Sequence, residues 1–464
     1  MSRRVVVVGA GPTGLAAAYR LLCASDPPEV VVLEATARPG GRIRSTTVDG
    51  LELEAGPDSF LARKPWAVDL CRELGLQSDL VPAAVGSTQL WAGRGLVSFP
   101  PGPLGIPPSL TALWRGDVPS LTGKVRAAAD VVLPRRRAAS DESVGALLRR
   151  RLGRRASEEL VEPLLGGVLA GDIAGLSVRA TFPELADWER EHGSLIRGAR
   201  AASGARRPAD VGGSGTGTGG GAPPAFVTIR GGLGRMVDAL AAVVGASRVR
   251  LSAPATDIRA AAQGFVVTEP AGEVAADAVI VTTPAYVSAD LLGDVAPEAA
   301  RGLGGIAYSS GAVAVLVYPD GSDPRLPASA GFLARRGLLP ITAATIVSRK
   351  WPDPAFGTRA VLRAFVPEGE TLARTDEELV VDVASVLATV YGLPTSPRAA
   401  SVIRWPRSMP QYEVGHLDRV AAIEAALPPG IVVAGNALRG VGLPDAVRQG
   451  TEAAARVAAI LARA

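Results

Sequence analysis

Histidine occurs only twice in this 464-residue chain, at His192 and His416, and cysteine only twice, at Cys23 and Cys71. Imidazoles so far apart argue against a zinc site or a serine–histidine triad, since both need clustered imidazoles or thiolates. Both cysteines fall in stretches that read as helix. Both are expected as buried free thiols, because a cytosolic chain seldom relies on a disulfide. Aromatic residues make up 4% of the chain. No long charge-free run reads as a membrane span; the nearest, from Gly302 to Pro319, is broken by glycines and serines into a loop and a strand. The opening arginines and apolar run mimic a signal peptide. A glycine turn inside that run, and the lack of a convincing cleavage site, argue against export. The expected location is the cytoplasm, with peripheral contact at the inner membrane face left open.

Lysine is scarce too. Lys64, Lys124 and Lys350 stand against 46 arginines, and the net charge is +4 with a pI near 9.3. With abundant alanine and glycine, this bias reads as a GC-rich genome rather than a selected basic surface. The densest cluster, Arg135–Arg137 followed by Arg149, Arg150, Arg151, Arg154 and Arg155, has no interleaved aromatics for base stacking. It reads as a solvated helix face, then as contact with an anionic membrane, and not as a nucleic-acid site.

Residues 47% hydrophobic and 20% charged describe a well-buried globule, too long for a single core. "RRVVVVGAGPTGLAAAYRLL" at 3–22 and "EVVVLEA" at 29–35 form a βαβ unit. From Pro103 to about Arg200 the chain reads as helices. Residues 201–226, "AASGARRPADVGGSGTGTGGGAPPAF", offer almost nothing to bury and read as a flexible insertion. Short strands are expected near 248–258, 264–268 and 278–282, and 306–366 is rich in strand signals. "IVVAG", a glycine-rich turn and a helix from about Pro444 close the chain. Two strand–glycine–helix units at opposite ends imply that the ends meet in one domain.

The opening turn carries Gly9, Ala10, Gly11, Pro12, Thr13 and Gly14, with Glu34 twenty residues beyond Gly14. After a strand and before a helix, this spacing is a dinucleotide site. The glycines allow a tight turn and close approach of a pyrophosphate to the helix N-terminus. Glu34 can accept both ribose hydroxyls and would repel a 2′-phosphate.

"ATARPGGRIRS" at 35–45 follows directly and resembles the extended signature of the flavin amine oxidase group, which implies FAD. Further along, "LEAGPDSFLARKPW", "LLGGVLAGDIAGLSVRATFPEL", "FVTIRGGLGRMVDAL", "RWPRSMPQYEVGH" and "VVAGNALRGVGLPDAVRQGTEAA" resemble, in order, segments of the protoporphyrinogen and coproporphyrinogen oxidases. The resemblance spans nearly the whole chain except 201–226. It implies an α/β fold: a Rossmann-like FAD-binding domain with an inserted α+β substrate domain and a helical domain. The implied parts are FAD-binding at 1–75, 227–290 and 401–464, substrate domain at 76–102 and 291–400, and a membrane-facing type of helical domain at 103–200.

By the same resemblance, the FAD contacts are Gly9 to Gly14, Glu34 with Ala35, Arg42, and Gly56, Pro57, Asp58 and Ser59 along the flavin ring. Backbone at Ala255 meets the adenine side. Trp405, for which plain core is the competing reading, joins Asn436 and the turn Val441–Gly442–Leu443 over the isoalloxazine. Attachment is expected to be noncovalent, since no cysteine lies in the C-terminal half. The implied chemistry removes six electrons in three two-electron steps, with molecular oxygen reduced to hydrogen peroxide. No catalytic side chain is assigned, because the cofactor carries that chemistry. Substrate contacts are expected at Gly171 and at Lys64, whose competing reading is a solvated surface lysine. Lys64 would meet a propionate, and coproporphyrinogen III is preferred to protoporphyrinogen IX. An amine oxidase or carotenoid desaturase would share the chain ends, but an amine site wants an aromatic cage that this composition scarcely supplies. A non-enzymatic escort protein of related fold would not need the flavin-side segments.

Overall fold

The computed structural model describes residues 3–99, 102–136, 140–205 and 225–463. Most of the insertion drawn at 201–226 lies outside the described residues. Residues 201–205 end a helix (Leu195–Ala205), and Phe226 begins a strand (Phe226–Ile229).

The four valines of the opening strand, Arg4–Val8, are buried on both faces, which suits the centre of a parallel sheet. The sheet has five parallel strands in the order Val249–Arg250, Glu29–Leu33, Arg4–Val8, Ala278–Val281 and Ile431–Val433. Val6 lies between Val31 and Val279, and Ile280 beside Val432. Both chain ends therefore meet in one sheet. Helices Pro12–Leu22, Gly234–Val244 and Leu443–Leu461 bury one face. The other is covered by helices Ala285–Leu291, Pro297–Gly304 and His416–Ala425, with a small antiparallel sheet over 257–276. Its last strand, Gly272–Ala276, carries no strong sequence signal and was not expected.

A second sheet of seven strands runs Ala399–Pro410, Tyr308–Val317, Val361–Pro367, Ala343–Ile346, Gly331–Ala334, Gln89–Trp91, Leu96–Ser98. Its residues alternate between faces. Leu316 and Leu362 pack under helix Asp376–Tyr391, while Val315 and Val361 pack against the hairpin Ser45–Glu54. The domain division drawn at 401 cuts through the first of these strands, which pairs continuously with Tyr308–Val317 on both sides of that residue. Ala299 and Leu303 likewise join the core of the parallel sheet, so that core extends past the division drawn at 291. Burial decides both boundaries, and burial leaves little trace in a local motif.

Residues 103–205 form a helical unit with its own core. At its centre lies Arg151, 1% exposed, paired with Asp130 at 2.6 Å and bonded to the carbonyls of Leu133, Pro134 and Gly193. Arg150 bridges Glu142 and Glu189. The arginine cluster is thus only partly a solvated face: Arg149, Arg154 and Arg155 are exposed, while Arg150 and Arg151 hold the unit together. Cys71 is buried as expected, but Cys23 is exposed, because it caps the first helix beyond its last buried turn. Leu110, Trp114, Leu121, Val125 and Val132 stand exposed on this unit. No helix among the described residues is long and apolar enough to cross a membrane.

The first and last helices close the nucleotide fold through a glycine. A Cβ at Gly450 would stand 2.3 Å from the Thr13 carbonyl oxygen. Gly450→Ala is expected to cost about 1–3 kcal/mol of stability in urea unfolding, the usual scale of overpacking. Gly204→Ala, with open space around its added Cβ, should be neutral within error.

Candidate active site

At the end of the opening strand Gly9 takes φ +101 and donates its N–H to the Leu33 carbonyl at 2.7 Å. The following helix packs so close that a Cβ at Gly14 would lie 1.9 Å from the Gly9 oxygen. Glycine is required at both positions. Gly11 has open space around it, and with Pro12 starting the helix, first-turn N–H groups are left without helical partners. Glu34 is 8% exposed; Oε2 accepts from the Ala10 N–H at 2.8 Å and Oε1 from the Thr36 N–H at 2.9 Å. The single hydroxyl proton of Thr36 reaches either Glu34 Oε1 or the Arg38 carbonyl, both at 2.8 Å. The carboxylate therefore keeps acceptor capacity for a ribose hydroxyl.

The second wall is the segment 54–59. A Cβ at Gly56 would meet the Arg42 carbonyl oxygen at 2.1 Å. From behind, Trp405 Nε1 donates to the Ala55 carbonyl at 2.9 Å, and the Arg363 guanidinium donates to the Gly56 carbonyl. Gly56, Pro57 and Ser59 line the cavity, but Asp58 does not. It turns into the protein, 3.1 Å from Lys350, 3.3 Å from Arg363 and 3.2 Å from Trp351 Nε1. The side chain of Asp58, expected along the flavin ring, is held instead by two cations, Lys350 and the buried Arg363. Burial alone would raise its pKa, yet Lys350 and Arg363 bring it well below the usual carboxylate range. Nearby Glu54 has no such partner. It accepts the Leu233 N–H at 2.6 Å, its Oε2 is buried without a hydrogen bond, and burial pushes its pKa to about 7.

Beyond this wall the space widens into a chamber. Gly166 and Gly167 of helix Glu162–Leu169 line it, with Val313, Ala334 and Phe365 of the seven-stranded sheet. A Cβ at Gly171, which lines the chamber, would lie 2.0 Å from Gln411 Oε1, so glycine leaves room for that amide. The C-terminal turn is braced from outside. Tyr412 stacks on His416 at 4.0 Å, donates its hydroxyl to the Asn436 carbonyl at 2.5 Å and accepts the Gly440 N–H at 2.9 Å. Within the turn the left-handed glycine is Gly440, at φ +103, whereas Gly442 takes φ −78, open to any residue. Lys64 reaches both oxygens of the buried Asp445 at 2.6 and 2.8 Å, so its charge is already matched.

All these surfaces belong to one cavity of about 1050 Å³. Of the residues singled out in the sequence, Gly9, Gly11, Pro12, Thr13, Glu34, Ala35, Arg42 and Ala255 line it at the turn end. Trp405, Asn436, Val441, Gly442, Leu443, Lys64 and Gly171 line it further in. Ala10 and Gly14 shape the turn from behind. Sequence reasoning missed Thr282, Glu162 and Arg336 on the wall. Thr282, whose hydroxyl lies 2.9 Å from the Val8 carbonyl, follows a strand end where ligands of such sheets bind, a readable signal. Arg336 sits in a hairpin turn that no motif marks. Burial of Arg42 lowers its pKa, and burial together with neighbouring Asp172 raises that of Glu162.

Residues 12–458 match the family of flavin containing amine oxidoreductases. This chain belongs to that family. It is 34% identical to the coproporphyrinogen III oxidase of Bacillus subtilis, covering 97% of each chain. It is 30% identical to the chloroplastic protoporphyrinogen oxidase of Nicotiana tabacum, over 99% of this chain and 86% of that one. A crystal structure from Exiguobacterium sp. 255-15, assigned to the protoporphyrinogen oxidases, superposes with a TM-score of 0.86 at 31% identity, covering 100% and 99% of the two chains. The fold is the FAD-binding fold, and its glycine cradle, open Gly11 and Glu34 fit that group.

Glu54 makes stability depend on pH. With an ordinary value of 4.5 and about 7 in the folded state, the folded protein holds the extra proton between those values, so stability falls as pH rises through them. Glu54→Gln should gain thermal midpoint over wild type at pH 8 relative to pH 5. A difference constant across that range would remove the assignment.

Proposed function

We propose that this chain is an oxygen-dependent FAD oxidase that converts coproporphyrinogen III to coproporphyrin III, with release of hydrogen peroxide, in haem biosynthesis. The observation that carries the reading is the single cavity of about 1050 Å³, running from the Gly9–Gly14 turn into an apolar, glycine-lined chamber with no histidine among its described lining residues. Pockets for one small ligand span about 300–1,000 Å³, so this one suits a dinucleotide and a substrate together. The likeness to a coproporphyrinogen III oxidase over 97% of both chains supports the choice of substrate.

The first-turn N–H groups and Glu34 would hold the pyrophosphate and adenosine of noncovalent FAD, with Arg42, Gly56, Pro57, Ser59, Trp405 and the 441–443 turn along the rest. FAD supplies the two-electron acceptor when bound. The chain's own work is orientation. Gly166, Gly167 and Gly171, without side chains, would leave room for a macrocycle, and Val313 and Phe365 would add apolar surface to the same chamber. Lys64, with one N–H not committed to Asp445, and the unpaired Arg336 at the rim would meet substrate carboxylates. Six electrons leave the substrate, and three molecules of oxygen become three of hydrogen peroxide.

One observation favours the second reading, protoporphyrinogen IX. Because Asp445 already matches Lys64, the wall offers few unmatched cations for four propionates, and a buried carboxylate left unpaired is costly. Heat or acid precipitation of the purified protein should release its yellow colour as free FAD, and colour kept in the pellet would sink noncovalent binding. Oxidation of both porphyrinogens by one preparation, followed by porphyrin fluorescence, decides the substrate. Faster turnover of protoporphyrinogen IX reverses the choice, and no turnover of either ends it. Lys64→Ala should raise KM for coproporphyrinogen III several-fold with kcat little changed; an unchanged KM removes Lys64 from the site.

We also propose a cytoplasmic protein whose membrane contact is at most peripheral. Exposed Trp114, Leu121 and Val125 beside exposed Arg154 and Arg155 support contact with an anionic surface. The protein should float with anionic vesicles and be released by salt; recovery only in detergent would contradict this.

A further inference from the structure

Strand Ala399–Pro410 is not regular where it passes the cavity. Met409 pairs with Ser309 and Trp405 with Gly311, so four residues on one strand span what two span on the other. The extra length forms a bulge at Pro406–Ser408, a device that re-aims backbone groups beside functional sites. At its centre Arg407 takes φ +43, a left-handed conformation rare for a side chain that large. Ser310 Oγ accepts the Arg407 N–H at 3.1 Å, and the turned Arg407 carbonyl accepts from Arg42 Nη2 at 3.2 Å. The exposed Arg407 guanidinium lies 3.6 Å from the centre of the Tyr286 ring, which meets Tyr308 edge-on at 5.2 Å. Tyr308 is itself fixed, because its hydroxyl accepts the Ala285 N–H at 2.8 Å.

We propose that Arg407 is a positioning residue: its stacking on Tyr286 holds the bulge in the conformation that aims its carbonyl at Arg42, and so sets Arg42 for the cofactor. A left-handed φ costs a bulky residue what glycine would not lose, and the stacking on Tyr286 offsets that cost. An arginine is needed there because a planar cation can cover an aromatic face while its backbone carbonyl points elsewhere. The inference rests on the reading of the cavity as an FAD site.

The test uses full-length protein stripped of FAD and titrated with FAD, binding being followed by quenching of flavin fluorescence. Arg407→Ala should weaken FAD binding about three- to fivefold, the scale of a cation–π contact at an exposed site. Arg407→Gln, which loses the cation, should do the same, and Arg407→Lys, which keeps the charge without the planar face, should recover only part of the loss. Tyr286 also interacts with Arg42 directly, so the Arg407 variants carry the test. In an Arg42→Ala background, Arg407→Ala should have no further effect, because it acts through Arg42. Circular dichroism and the thermal midpoint establish that each variant is folded, and Arg407→Gln serves if Arg407→Ala is not. FAD affinity within twofold of wild type in Arg407→Ala overturns the proposal. So does a loss that persists undiminished in the Arg42→Ala background. If stripped wild type fails to bind FAD, it is the FAD reading that falls.

Discussion

Asp58 stands between Lys350 and Arg363, three charges taken almost wholly out of water. Such a group costs several kcal/mol per ion unless geometry and hydrogen bonds offset it, which is why each member is tied to a different part of the chain. Asp58 comes from the segment that walls the cavity, Lys350 from a short helix after a sheet strand, and Arg363 from the middle of the seven-stranded sheet. Arg363 also donates to the Gly56 carbonyl. The cavity wall is therefore pinned to the second sheet by charge. Without this pin, residues 55–59 would be a loop over an opening, and the distance from nucleotide turn to chamber would be free to vary.

The same logic recurs at Lys64 and Asp445. A cation at the start of helix Pro65–Glu73 meets an anion in the first turn of the last helix, more than 380 residues later. The nucleotide fold thus closes at three places: strand pairing in the parallel sheet, the Gly450–Thr13 contact, and this ion pair. All three join the chain's two ends, the strand pairing through Ala278–Val281. Insertion of a helical unit and a second sheet between those ends is tolerated because the closure does not run through either of them.

The nucleotide fold was legible because its signals are local. A valine run, a glycine turn and an acid at fixed spacing each constrain the backbone within a few residues, and Gly9, Gly14 and Glu34 behave as that spacing dictates. Side-chain direction was not legible. Asp58 and Ser59 are adjacent in sequence, yet only Ser59 lines the cavity, and Lys350 and Arg363, both distant in sequence, decide where Asp58 turns. Arg151 shows the same limit, since nothing in an arginine run marks which member meets Asp130 inside the core. The second sheet's extent was hidden for a related reason. Strand Ala399–Pro410 changes neither composition nor pattern at residue 401, so a motif-based boundary falls within a continuous ladder.

The distribution of charge around the cavity bears on how the site works. Glu34 is tied by backbone donors, Asp445 by Lys64 and Asp58 by two cations, so the acids near the nucleotide end are spoken for. Glu162 makes no hydrogen bond or ion pair among the described residues, and burial beside Asp172 raises its pKa. At the same end Arg336 has no side-chain partner among the described residues. An unmatched acid and an unmatched cation thus mark the chamber rather than the nucleotide end. Under the proposed reading a polyanionic substrate would gain attraction from Arg336 there, while burial beside Asp172 makes the Glu162 charge costlier to keep. The nucleotide end instead offers first-turn N–H groups and spare acceptor capacity on Glu34, so each end leaves a different set of groups for its ligand.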